Sequence, residues 1–116
     1  MTTWEEKIER RFQHLDELAI QYAEAKAEMN YLDDFRHSKI AILMAEAETR
    51  NPEKFSSAVS QEREARRHPE YMELLKGRKA ATEKAEYALW KLRNAHKRID
   101  MWQTRQADER AKLTKR

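Results

Sequence analysis

In this chain of 116 residues, charged side chains (39%) are as common as hydrophobic ones (40%), which is enough for one domain but lean for a compact globule. One glycine, two prolines, no cysteine and a single valine, Val59, exclude disulfide scaffolds, thiolate chemistry, glycine-rich phosphate loops and strand-rich folds. The apolar residues recur at helical spacing, so long helices rather than disorder are expected.

Thr3, followed three residues later by Glu6, forms a capping-box pattern that starts a first helix at Trp4. Ile8, Phe12, Leu15, Leu18, Tyr22, Ala25, Met29, Leu32, Ile40, Leu43 and Ala47 then recur mostly at spacings of three and four. Arg36 interrupts this stripe where an apolar residue is expected, which implies either a kink or an acid partner such as Glu83 or Glu86 across a hairpin. Pro52 disfavours helical backbone at Asn51, so the helix spans 4–50, about 70 Å at the usual helical rise.

The stretch NPEKFS makes the first connection, and Ser56 or Ser57 can cap a short helix over 57–67. His68-Pro69 punctuates again, because proline suits the first turn of a helix, where its missing N–H costs nothing. A third helix over 69–113 carries Tyr71, Leu74, Leu75, Ala81, Ala85, Leu89, Leu92, Ile99 and Trp102 on one stripe, before the basic tail TKR frays. Gly77 inside it either marks a close helix crossing or is simply tolerated.

The expected fold is therefore all-α, a single domain over 1–116. It is an antiparallel hairpin of two long helices with a short connecting helix. One seam cannot hold every large apolar residue. Trp4, Tyr31, Phe35, Tyr87 and Trp90 fall off the stripes or at their edges, so self-association into a bundle is expected unless the short helix folds back over them.

Charge is unevenly placed. Residues 1–50 hold 7 Lys/Arg against 11 Asp/Glu, residues 51–75 hold 4 against 5, and residues 76–116 hold 13 against 5. Attraction between an acidic and a basic helix favours the antiparallel hairpin, but only positions beside the seam can reach across. Tyr87, Trp90, Lys91, Asn94, Lys97, Arg98, Met101 and Arg105 share one face of the third helix. Cations interleaved with aromatic rings are what nucleic acid binding requires, the former for phosphates and the latter for unpaired bases. The candidate phosphate contacts are Lys91, Arg93, Lys97, Arg98 and Arg105. Tyr87 and Trp90 are the stacking residues, and Lys76, Arg78 and Lys79 extend the stripe.

Other chemistries find less support. The four histidines form no metal-ligand spacing with one another, and Asp33, Asp34 and His37 read as a solvated face more readily than as a metal site. Serines lack an elbow or triad context, and no paired carboxylates suit acid–base work, so neither an enzyme nor a cofactor is expected. No run of eighteen apolar residues could span a membrane. The start MTTWEEKIERRF lacks a signal-peptide layout, which with the absence of cysteine points to the cytoplasm. The alanine-rich stripe of the third helix suits helix packing better than a lipid surface.

The segments YAEAKAEMNYLDDFRHSKIAILMAEAE and HPEYMELLKGRKAATEKAEYALWKLRNAHKRIDMWQTRQADERA, joined by a serine-rich connection, resemble small phage-encoded helical proteins of replication and recombination regions. The similarity is carried by Tyr22, Glu24 and Ala25, by Arg36 and Lys39, by Pro-Glu-Tyr at 69–71, and by Trp102 with Gln106 and Ala107. It spans about residues 20–111. More distantly the chain resembles the UvsY-type recombination mediators of T-even phages. That resemblance implies an oligomer that binds DNA in an infected bacterial host and works beside a recombinase or a single-strand-binding protein. The expected function is thus a non-enzymatic, largely sequence-independent DNA-binding accessory protein. The alternative is a structural or adaptor coiled coil that binds another protein through its exposed aromatics.

Overall fold

The computed structural model describes residues 3–114 and contains three helices: α1 (Trp4–Arg50), α2 (Ala58–Arg67) and α3 (Pro69–Thr114). The fraying expected at Lys115 and Arg116 lies outside the described residues. Each boundary has a local cause. Thr3 Oγ1 accepts from the Glu6 amide and Glu6 Oε2 accepts from the Thr3 amide, both at 3.2 Å, a reciprocal cap that sets the start of α1. At the other end the Asn51 amide still donates to Ala47, and Asn51 then turns the chain by accepting from Lys54 on its side chain and from Phe55 on its carbonyl.

Ser57 rather than Ser56 caps α2. It exchanges backbone-to-side-chain hydrogen bonds with Ser60, so the helix begins one residue later than the spacing predicts. His68 closes α2 by donating its amide to Ala65. Its ring Nδ1 then accepts from the Glu70 amide, so one residue ends a helix and caps the next. Pro69 occupies the first turn of α3, as expected, and Thr114 extends that helix one residue past the expected end.

The contacts fall into two compact units, one joining the chain up to Glu24 with the chain from Glu86 onward, the other comprising Ala25–Ala85. In the first, Trp4 meets Trp102 with ring centroids 5.6 Å apart, while Leu18 further along α1 shares a hollow with Lys91 and Asn94. The two segments therefore run antiparallel. Leu18 and Ala88 are buried between them, with Ile8, Leu15, Leu92, Ala95 and Ile99 half-buried.

In the second unit Lys39 pairs with Glu70 at 2.6 Å and Asp33 with Arg78 at 2.7 Å, again an antiparallel pairing. Its core joins Leu43 of α1, Ala65 of α2 and Tyr71 of α3, with Ile40, Met44, Leu74 and Leu75 packed against them. Ala25, Ala47, Ala81 and Ala85 are also buried. Such small residues let helix backbones approach closely, which is how a chain poor in large apolar residues still forms a packed seam. Phe55, in the connection before α2, is buried as well, with Arg50 and Lys54 against its ring.

Two expectations about the seam need correction. Arg36 does not pair with Glu83 or Glu86, and α1 runs through its position without a break. Its nearest carboxylate is Asp33 on its own helix, at 3.8 Å. α2 also leaves the off-stripe aromatics uncovered, because it packs on Leu43 and Tyr71. Trp4, Tyr31, Phe35, Tyr87 and Trp90 all remain exposed.

Candidate nucleic-acid interface

In α3, positions 71, 74, 78, 81, 85, 88, 92, 95, 99, 102 and 106 alternate spacings of three and four and face the seam; all are buried or half-buried. This register fixes where the cations stand. Lys84, Lys91, Arg98 and Arg105 recur every seven residues along one edge of the seam. Tyr87, Asn94 and Met101 form the next row outward, followed by Trp90 and Lys97.

In the first unit this edge meets α1. Tyr87, Trp90, Lys91, Asn94, Ala95 and Arg98 line a furrow of about 290 Å³ with His14 and Leu18. A second hollow of about 120 Å³ adjoins it, sharing His14, Ala95 and Arg98 and adding Arg11 and Ile99. Together they form one furrow with Arg11 and His14 on one bank and Lys91 and Arg98 on the other. Helix periodicity keeps Glu9 and Asp16 off this bank of α1, while Glu17, three residues from His14, stands at its outer edge.

Aromatic rings frame the furrow. Tyr87 and Trp90 are 60% and 63% exposed. Lys91 Nζ lies 4.9 Å from the centroid of the Tyr87 ring, a cation–π contact that holds the ammonium at the rim. Arg11 stacks 5.0 Å over the Trp102 ring, which itself packs on Trp4. Among the described residues, no carboxylate lies within 4 Å of Lys91, Arg93, Lys97, Arg98 or Arg105. Attraction to acidic α1 therefore does not consume these charges. Desolvated, unpaired cations would be unstable, but these stand at or near the surface, where water solvates them.

The ten residues read from the sequence divide on this geometry. Tyr87, Trp90, Lys91 and Arg98 line the furrow. Arg105 continues the row of Arg98, and Lys97 that of Trp90. Arg93 and Lys79, fourteen residues apart, fall on the row of Glu86 and Asp100, across the helix from the furrow. Lys76 and Arg78 belong to the other unit, where Lys76 stands 3.4 Å from Glu73 and Arg78 occupies a seam position paired with Asp33. Arg11 and His14 were missed, since nothing within α1 marks them; only the antiparallel register brings them to Arg98. Asn94, which shares the face of Tyr87 and Trp90 by spacing, also lines the furrow.

Asp33, weighed earlier with His37 as a metal ligand, is instead engaged by Arg78. Among the described residues no group of three or more His, Asp or Glu is arranged to hold a metal ion, and no helix is long and apolar enough to cross a membrane. No family model matches the chain, nor does any curated protein or solved structure.

Proposed function

We propose that the chain is a non-enzymatic accessory protein that binds DNA with little sequence preference, through the furrow between Arg11–His14 and Lys91–Arg98. The observation that carries this reading is the coincidence, in one furrow, of unpaired cations with the exposed rings of Tyr87 and Trp90. Each cation that meets a phosphate releases condensed counterions, and each ring offers a π-face to an unstacked base. Two side chains with planar hydrogen-bonding groups, Asn94 and Arg98, lie in the furrow. The cations and aromatic rings outnumber these two, so phosphates and stacking dominate over base reading. Unpaired bases are what the rings require, and a duplex conceals them.

The resemblance to phage recombination mediators supports a place in replication or recombination in an infected bacterial cell. It also supports a recombinase or single-strand-binding protein as a partner. Titration of labelled single- and double-stranded oligonucleotides at two salt concentrations tests the binding itself; absence of binding to both at low salt rejects it.

The second reading, an adaptor that binds another protein, is favoured by the exposed Tyr31, Phe35 and Ile42 of the other unit. Changing Lys97 and Arg98 to Glu separates the two. DNA binding should be abolished, whereas a protein complex made through the apolar residues should survive.

A further inference from the structure

Facing edge positions of paired helices usually carry opposite charges, because the long side chains there reach across the seam. One edge of the first unit departs from that pattern. His14 of α1 and Arg98 of α3 line both hollows of the furrow. Steps of seven residues, taken in opposite chain directions, then set Lys7 opposite Arg105 and Gln21 opposite Lys91. None of these six positions holds an acid. Among the described residues, no carboxylate lies within 4 Å of His14 or of the four cations. The ionisable groups around His14 are Arg11 and Glu17 along α1, and Lys91, Arg98 and the Tyr87 phenol on α3. Cations dominate there, and an imidazole is the one side-chain type on this edge that gains or loses a charge near neutral pH.

We infer that His14 makes polyanion binding in the furrow proton-linked: a phosphate seated between His14 and Arg98 is met by an imidazolium, so binding takes up a proton and affinity rises as pH falls. The inference rests on the furrow being the DNA site. In the free chain a neutral imidazole spares this edge one more facing cation. A phosphate reverses that balance, since its negative oxygens favour the charged ring, both of whose nitrogens then donate. By linkage, a ligand held more tightly by the protonated form is bound with proton uptake. The added charge also displaces a further counterion from the strand, so the salt dependence steepens as pH falls. Lysine and arginine keep their charges over the range in which an imidazole titrates, which leaves the ring as the switch on this edge.

The test is an anisotropy titration of a labelled oligothymidylate with the full chain, at about pH 6 and about pH 8 and at equal ionic strength. Thymine is uncharged at both. The wild-type affinity should be at least about threefold higher at the lower pH, with a salt slope steeper by about 0.7. His14→Gln should lose that difference, whereas His96→Gln, on the opposite edge of the seam, should keep it. His14→Lys fixes the charge, so it should bind at the tighter level at both pH values, which a merely structural role for the ring would not give. Salt-sensitive binding that ignores pH, or the same pH dependence in His14→Gln as in the wild type, overturns this inference and leaves the furrow standing as the DNA site. Absence of binding at either pH overturns both.

Discussion

Arg78 of α3 reaches Asp33 of α1 at 2.7 Å, while Arg36, nearly one turn along α1, stands 3.8 Å from the same carboxylate oxygen. One carboxylate thus serves two guanidinium groups at positions where the heptad pattern of both helices calls for apolar side chains. The Nε of Arg36 and the Oδ1 of Asp33 are both buried without a hydrogen-bond partner, so Asp33 meets the two arginines as ion pairs and not through aligned hydrogen bonds. Such a polar layer contributes less than an apolar one would, since burying a charge offsets most of what its pairing returns. It does fix which turns of α1 and α3 face each other.

Asp33→Asn should therefore destabilise the fold by about 1 kcal/mol, because two partly buried cations then share no acid; the half-exposed geometry limits the loss. Arg36→Met should be neutral or stabilise by up to about 1 kcal/mol, because a flexible apolar chain replaces a buried, unpartnered Nε and only a long 3.8 Å ion pair, while Arg78 keeps Asp33. Urea denaturation midpoints of the two variants give both values.

The elements themselves were legible because their ends are written locally. Thr3 and Glu6, Asn51-Pro52, Ser57 and His68-Pro69 each satisfy or remove specific backbone groups within four residues, so no tertiary knowledge was needed. The furrow was only half legible. Tyr87, Trp90, Lys91 and Arg98 share a face by spacing alone, but Arg11 and His14 join them only through the antiparallel register, which no local pattern records. Arg78 was misplaced for the opposite reason. An arginine reads as surface, and its seven-residue relation to Tyr71 and Ala85 becomes decisive only when Asp33 is known to face it. Phe55 was read as part of a connection and is buried, since the loop folds it under Arg50.

The cap of α2 supplies a stability test independent of the furrow. Ser57→Ala removes the acceptor for the Ser60 amide and should cost about 1 kcal/mol. Because α2 has only ten residues, the loss should appear first as faster hydrogen exchange across Ala58–Arg67 rather than in the two long helices.

Lys39 Nζ donates to Glu70 Oε2 at 2.6 Å, and this hydrogen bond and charge hold the Glu70 carboxyl below the ordinary glutamate range. A depressed folded value means that the pair's contribution is present above the unfolded glutamate pKa and is lost as pH falls through the folded one. Carboxyl NMR titration should find Glu70 titrating at lower pH than an unpaired glutamate, and Lys39→Met should return it toward the ordinary value.

Substitutions in the furrow should act differently on affinity and on its salt dependence. Arg98→Ala should weaken binding and reduce the magnitude of the log–log salt slope by about 1, whereas Lys79→Ala, across the helix, should leave the slope unchanged. Trp90→Ala should cost about 1–3 kcal/mol of single-strand affinity with little change in slope, since stacking releases no counterions. Fluorescence anisotropy over a salt series reads all three.

The most direct measurement is the binding of the unmodified chain to labelled single-stranded DNA across that salt series. With Arg11, Lys91, Arg98 and Arg105 each meeting a phosphate, binding should be clear at low salt, independent of base sequence, and weaken with a slope of about −3. A chain that binds neither strand form at low salt, or whose affinity ignores salt, would contradict the account.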